Sequence, residues 1–488
     1  MLRRRRLVAW VVVVNLIAVT AALSAWRLSP RPAPAAGGVF EVKPYLQLGE
    51  GRESLALLWQ TADLHDGWAV DVRAEPDADG PWVAATPPMS RRVAVDGVMP
   101  FRVYRVALAG LAPGSGFAYR VRRAGAVVFE ARGTARKPAG RPHRFVVFGD
   151  CGAGTAGQKA IAYRAFLARP DYVMLTGDLV YTRGRVSEYL AHFFPVYNSD
   201  QASAASGAPL LRSTPFVAAP GNHDLIERDL DTYPDGLAYY YYWSQPMNGP
   251  AGGVGTPGAE LVKGSGARRR AFREAAGPAF PRMANFSFDY GDVHWTVLDA
   301  NTYTDWTDPA HRGWLDADLA SARGAAWRLV AFHHPAFHSS KAHADDQRMR
   351  LLAPSLEKGK VAVVFSGHVH NYQRSHPLRF VAGPPPADGK GKLYGPTGKV
   401  DGRRSLDTAY DGAARTRPDG PIYVVTGAGG ARLYDPSRHD DPASWQDFTA
   451  RFVSNVHSLT VVDVTPDALT LRQVSASGDD LDRFVVTR

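Results

Sequence analysis

The stretch VAVVFSGHVHN, residues 361–371, decides the fold. Its apolar run reads as a strand buried on both faces, and the strand ends at a Ser-Gly turn that presents His368 and His370. The design recurs upstream. RFVVFGD (144–150) and DYVMLTGD (171–178) are apolar runs ending in Gly-Asp, while STPFVAAPGNHD (213–224) and WRLVAFHHP (327–335) close on Asn-His-Asp and on His-His. Between the first two lies QKAIAYRAFLARP (158–170), an amphipathic helix stopped by proline. Strands alternating with helices imply an α/β domain. Polar residues gathered at strand ends imply a site in the crevice beyond the strand carboxyl termini.

Before residue 142 the pattern is different. ESLALLWQT (53–61), GWAVDVRAE (67–75), FRVYRVAL (101–108), GFAYRVRR (116–123) and AVVFEARG (126–133) are short alternating strands divided by turn residues. They predict a small antiparallel sandwich. Proline-rich linkers at 29–38 and 136–142 bound it, which divides the chain into 1–36, 37–137 and 141–488. In the tail, PIYVVTGAGG, HSLTVVDVT, ALTLRQVSA and DRFVVT have no helices between them and should extend the sheets. Residues 244–267 and 381–420 read as loops.

The 488 residues carry a net charge of +10, yet Arg3, Arg4, Arg5, Arg6, Arg27 and Arg31 all precede the first acid, Glu41. The remainder is nearly balanced, which argues against a broad nucleic-acid-binding face. The leading arginines are followed by an apolar stretch, residues 7–26, interrupted only by Asn15, Thr20 and Ser24. This reads as an export signal, cleaved or retained as an anchor, that sends the rest across the cytoplasmic membrane. The product is then secreted, periplasmic or tethered by that segment alone. The single cysteine, Cys151, allows no intramolecular disulfide and is expected to pack inertly.

The strand-end residues suit a split binuclear metal site. Asp150 and Asp178 sit on tight glycine turns where an ion can approach, and one carboxylate must bridge. Asn222 offers a neutral oxygen, and His333, His368 and His370 offer imidazoles. His333 and His334 compete for one position. His294, His311 and His376 read as structural, and His338 as a weak catalytic rival. The run Tyr239, Tyr240, Tyr241, Tyr242, Trp243 fits either a pocket wall or core packing.

The order GD, GDxxY, GNHD, a strand-end histidine, then GHxH resembles the metallophosphoesterase (calcineurin-like) superfamily, and specifically the purple acid phosphatases. PYLQL (44–48) with SLALLWQT (54–61) is similar to the fibronectin type III-like module that precedes their catalytic domain. FSFDYGDVHWTVLD (286–299), WLDADL (314–319) and YVVTGAGGARLY (423–434) are similar to family segments. The resemblance implies a fibronectin-like sandwich followed by a four-layer α/β/β/α metallophosphatase domain. It implies a first metal on Asp150, Tyr181 and His370, a second on Asn222, His333 and His368, and Asp178 as the bridge. His333 is favoured over His334 because Pro335 completes the family's H-x-P. Many superfamily members carry a histidine where this chain has Gly152, and the family with tyrosine in GDxxY replaces it. The implied ions are Fe(III) at Tyr181 and Zn, Fe or Mn beside it. His223 and His343 match histidines that hold phosphate and protonate the leaving group, with Asp224 placed to orient His223. The implied reaction is hydrolysis of a small phosphate monoester by in-line attack of a metal-held hydroxide. A phosphodiesterase or nucleotide hydrolase on the same residues is the alternative, and a membrane-tethered binding protein with structural metals is another.

Overall fold

Two mixed sheets lie face to face, and what holds them together is aromatic. In the computed structural model, Trp295 and Phe365 of one sheet meet Phe145 of the other with ring centroids 5.3 and 6.4 Å apart, and Tyr290 meets Tyr172 at 4.4 Å. Burying rings of this size supplies much of the driving force for stacking the sheets. The structure describes residues 38–488, apart from 50, 52, 76–79, 226–227, 251–261 and 385–397. The proposed export segment lies outside the described residues. Among the described residues, no helix is long and apolar enough to cross a membrane.

The first sheet has ten strands. Its centre is the parallel run His143–Phe148, Tyr172–Leu175 and Phe216–Ala218, in register with Phe148 opposite Leu175 and Leu175 opposite Ala218. The second sheet is built on Val293–Leu298, Trp327–Phe332, Val363–Ser366 and Ile422–Thr426, all parallel. Alternation sends Phe145 inward, while Val146 and Phe148 join Ile161 and Ala162 of the helix Ala156–Leu167 in one outer core. On the other side Val330, Phe332 and Val364 pack with Leu315, Leu319 and Leu356 of the helices Pro309–Ser321 and Ala353–Lys358. The layers are therefore helix, sheet, sheet, helix. Thr155 starts the first helix by accepting the Gln158 N–H, and Asp308 starts the second by accepting those of Ala310 and His311.

The tail strands Ser458–Val464, Ala468–Ser475 and Asp480–Thr487 extend the first sheet beyond His143–Phe148, as their lack of helices implied. At its other side the sheet runs on into the N-terminal region through Gln47 opposite Phe216. There Val42–Leu48, Leu55–Ala62, Phe101–Leu108 and Met89–Val93 face a separate sheet of Trp68–Ala74, Gly116–Arg123, Ala126–Thr134 and Val83–Ala84. Trp59 stacks on Tyr104 at 5.2 Å and meets Trp68 of the facing sheet at 5.6 Å. Residues 42–488 thus form one packed unit. Arg91 strengthens the join by donating to the carbonyls of Tyr240, Tyr241 and Ala276.

One open reading settles and another changes. The tyrosines 239–242 form a short helix that is fully buried in the outer core, so they pack rather than wall a pocket. The stretch 381–420 is not all loop, because Gly402–Leu406 pairs with Leu378–Ala382 as a hairpin. The sequence of that strand, GRRSL, is exposed or half-buried throughout, so it carries no apolar alternation to announce it.

His294 is structural, as expected. It is 6% exposed and lies between Asp289, 2.7 Å from Nδ1, and Asp318, 3.1 Å from Nε2. Burial favours the neutral ring, but the two carboxylates outweigh it and pull its pKa up to about 9. A raised folded-state pKa gives stability that is full below about pH 6.5 and fades as pH rises through about 9. The stability advantage of the wild type over His294→Gln, measured by urea denaturation, should accordingly be large at pH 6 and largely gone at pH 10. An advantage independent of pH would contradict the ion-paired role.

Candidate metal centre

Parallel strands in register end side by side, and their last residues turn into the same crevice. Asp150 follows His143–Phe148, Asp178 follows Tyr172–Leu175, His333 follows Trp327–Phe332, and His368 and His370 follow Val363–Ser366. Asn222 and His223 open a single helical turn after Phe216–Ala218. Asp150, Asp178 and His368 all have left-handed backbones, with φ of 58°, 52° and 66°. Each costs on the order of 1–2 kcal/mol relative to the right-handed form, and the surrounding turns hold them there. Gly177 and Gly221 make the approach possible. A Cβ on Gly177 would strike the His333 ring, and one on Gly221 would strike Asp178.

The seven residues expected as ligands come together. Tyr181 Oη is 3.2 Å from Asp150 Oδ1 and 3.1 Å from His370 Nε2, and that imidazole nitrogen is 3.3 Å from Asp150 Oδ1. Across from them, Asn222 Oδ1 lies 3.0 Å from His333 Nε2 and 2.9 Å from His368 Nδ1. Asp178 Oδ1 is 3.2 Å from His333 Nε2. Backbone carbonyls set the imidazole tautomers. Thr176 O can only accept, so His333 Nδ1 carries a proton at 2.7 Å, and Arg432 O does the same for His370 Nδ1 at 2.7 Å. Both rings are left with a bare Nε2 turned toward the carboxylates, the arrangement a metal-binding histidine needs.

The electrostatics ask for cations. Asp150 and Asp178 are buried, and no lysine or arginine pairs with either among the described residues. Burial penalises the Asp178 carboxylate, but the His333 and His223 rings more than compensate and lower its pKa. In return His333, though buried, is pulled upward by Asp178. Burial raises the Tyr181 phenol, and the charges of Asp150 and Asp178 raise it further. Only a positive ion between these groups could bring that phenol toward its anionic form. Asp150, Asp178 and His333 offer donor atoms within 4.8 Å of one another, which fits such an ion.

The residues around this set were less legible. His223 Nδ1 donates to the Thr182 carbonyl at 2.9 Å, not to Asp224. Asp224 instead accepts the backbone N–H groups of Leu179 and Gly221, at 3.0 and 2.7 Å, and so ties the Asp178 turn to the Asn222 turn. Burial and the Asp178 charge raise its pKa. His223 stays 32% exposed, with Nε2 3.9 Å from Asp178 Oδ2. His343 reaches the centre: its ring packs 4.0 Å from that of His368 while remaining open to solvent. Burial against His368 lowers its pKa, and Asp346 opposes this. His334 is buried and 3.8 Å from Asp346, and the two lie within 4.8 Å of a His368 nitrogen. Buried His338 has no hydrogen-bond partner at Nδ1 among the described residues, and its charge is felt at His368. Cys151 is fully buried, and burial raises its thiol pKa, which leaves it inert. Sequence reasoning missed Asp346, since nothing in KAHADD tells which acid faces inward. It also missed Tyr434, which stacks on His370 at 4.0 Å.

A crevice between two sheets, lined by carboxylate, amide, phenol and imidazole donors on parallel strand ends, suits metal ions held between the sheets. Residues 143–372 match the family model described as calcineurin-like phosphoesterase. The chain carries a calcineurin-like metallophosphoesterase domain and is similar to purple acid phosphatases. Purple acid phosphatase 18 of Arabidopsis thaliana is 24% identical over 319 residues, which is 64% of this chain and 55% of that protein. The chain thus spans about half of that plant relative. An uncharacterized protein of Mycobacterium tuberculosis is 25% identical over 484 residues, covering 89% of this chain and 82% of its own length. The purple acid phosphatase from yellow lupin (Lupinus luteus) seeds shares the fold at a TM-score of 0.62 and 18% identity, over 91% of this chain and 74% of its own. PhoD follows at 0.54 and 14%, over 93% and 90%.

Because Asp178 faces both donor groups, Asp178→Asn should lower the content of both ions together. Asn222→Ala should mainly deplete one. Elemental analysis of the two purified variants decides this, and loss of the same single ion in both would contradict the bridging assignment.

Proposed function

We propose that this chain is a binuclear-metal hydrolase of small phosphate monoesters, an acid phosphatase in kind. The observation that carries the reading is Tyr181, whose phenol lies within 3.2 Å of both Asp150 and His370. On this reading Asp150, Tyr181 and His370 hold Fe(III), Asn222, His333 and His368 hold Zn, Fe or Mn, and Asp178 bridges. Cations held there would supply a nucleophilic water and Lewis acidity toward the phosphate oxygens. His223, fixed through Thr182 O, presents Nε2 to bind a phosphate oxygen. His343 donates a proton to the departing oxygen. Asp224 keeps the two ligand turns in place. The N-terminal region is proposed as a fibronectin type III-like module, residues 37–137, with the boundary to the catalytic part, 141–488, separating sequence modules rather than packing units. Residues 1–36 are proposed to direct export, and nucleic acid is not a partner.

Purified protein should release p-nitrophenol from its monoester in preference to the bis-ester. Preference for the bis-ester would favour a phosphodiesterase, and no release from either would favour a binding protein with structural metals.

The iron-loaded, oxidised protein should absorb broadly in the visible through the Tyr181 phenolate. Tyr181→Phe should bleach that band while circular dichroism stays unchanged. A band that survives the substitution rejects the ligand role.

His343 is not a proposed ligand, so His343→Ala should retain both ions and lose about 10²–10⁴-fold in turnover. The loss should be greater on an alkyl phosphate than on p-nitrophenyl phosphate, because an alkoxide needs the proton more. Equal losses would assign His343 to phosphate binding instead.

A further inference from the structure

The strands that end at the metal centre begin at another concave feature. A cavity of about 550 Å³ lies at the start of Trp327–Phe332, just before Val363–Ser366 and Ile422–Thr426, and beside the end of Asp480–Thr487. The length of a six-residue strand, roughly 20 Å, separates it from His333. It cannot be part of the site already described.

Its lining is cationic. Arg323, Arg328, Lys360, Arg379, Arg417 and Arg488 border it, against the acids Glu357 and Asp419. Those acids are largely engaged. Asp419 pairs with Arg379, and Glu357 accepts the Phe380 N–H at 2.8 Å. Arg488 reaches Asp467 at 3.7 Å. Among the described residues, no ion pair or side-chain hydrogen bond engages Arg323, Lys360 or Arg417. Arg328 donates only to the Ala322 carbonyl, at 3.2 Å, and its Nε is buried without a partner. A neighbouring depression of about 450 Å³ shares Arg323, Arg328 and Lys360 and widens the basin.

Four cations converging on one hollow repel one another, and a polyvalent anion would relieve that repulsion. Arginine forks match the oxygens of phosphate-type groups. The volume lies within the range of about 300–1,000 Å³ typical of small-molecule sites, and the basin is concave and local rather than a track for a polymer. We propose that this cavity is a second site, which binds a small anion bearing two or more phosphate-type groups through Arg323, Arg328, Lys360 and Arg417.

Binding in this cavity requires no chemistry at the metal centre, and the cavity variants leave that centre intact. Methylenediphosphonate, which resists hydrolysis, is titrated calorimetrically into the metal-loaded protein. The wild type should bind one more equivalent than the Arg328→Ala/Arg417→Ala variant, or bind it at least about tenfold more tightly. Metal content and melting temperature should match the wild type. Because Arg328 is half-buried, the exposed pair Arg323→Ala/Lys360→Ala provides a second variant that should show the same loss. Arg269→Ala/Arg270→Ala removes equal charge from an exposed helix elsewhere and should change nothing. Identical isotherms for the wild type and both cavity variants would overturn the proposal. So would an equal loss in the control pair, which would mean diffuse attraction to a basic surface.

Discussion

Everything at this centre answers to one constraint, which is the burial of Asp150, Asp178 and Asp224 within neighbouring turns and, among the described residues, without a lysine or arginine to balance them. Isolated charges in such a place would cost many kcal/mol. The protein meets the cost differently at each. Asp224 accepts two backbone N–H groups, which offset part of its burial, and serves as a strut between the two turns. Asp150 accepts the His368 N–H and faces Tyr181 and His370. Asp178 accepts the His223 N–H and faces His333. The last two lie beside imidazoles whose other nitrogens are already occupied. A site built this way is stable only with positive charge in it. The upward pull of Asp178 on the His333 pKa is one sign of that need.

Holding those groups together depends on the rest of the fold. The first sheet brings Asp150, Asp178 and Asn222, and the second brings His333, His368 and His370. Neither sheet carries a complete set. The stacking of Phe145 and Tyr172 against Trp295, Phe365 and Tyr290 therefore fixes more than stability, since it sets the distance between the two halves of the donor set. The left-handed turns at Asp150, Asp178 and His368 are tolerated because register and packing on both sides leave the chain no alternative path.

How much of this could be read from the sequence follows from what each residue type advertises. Apolar runs closing on Gly-Asp, Gly-Asn-His and Gly-His-x-His state both the strand and the direction of its end, so the α/β character and the strand-end donors were legible, whereas Tyr181 and the four-layer order came from the family resemblance. The helix at 158–170 was legible from proline and apolar spacing, and its start moved only to Ala156. Carbonyl partners were not legible, because Thr176, Thr182 and Arg432 contribute backbone oxygens that any residue could supply. That is why the pairing of Asp224 with His223 fails: the turn offered a nearer acceptor. The hairpin at Gly402–Leu406 was hidden for the same reason, being a strand defined by backbone pairing alone.

Gly152 and Tyr181 are two sides of one exchange. A side chain at 152 is not merely absent. A Cβ there would overlap the Leu179 carbonyl, so this backbone can carry no histidine at that position. The Gly152 carbonyl meanwhile accepts the Tyr181 N–H at 3.1 Å, so the glycine turn fixes the residue proposed as a ligand in its place. Once the chain passes this close, the donor must come from the next turn, and it must be long enough to reach past Asp150 to His370. A tyrosine fits that reach. It also changes the chemistry: imidazole binds as a neutral ligand near pH 7, whereas a phenol with burial and two carboxylates raising its pKa binds as an anion only to a strongly acidic ion. The choice of metal is thus bound up with the packing of one glycine against one carbonyl.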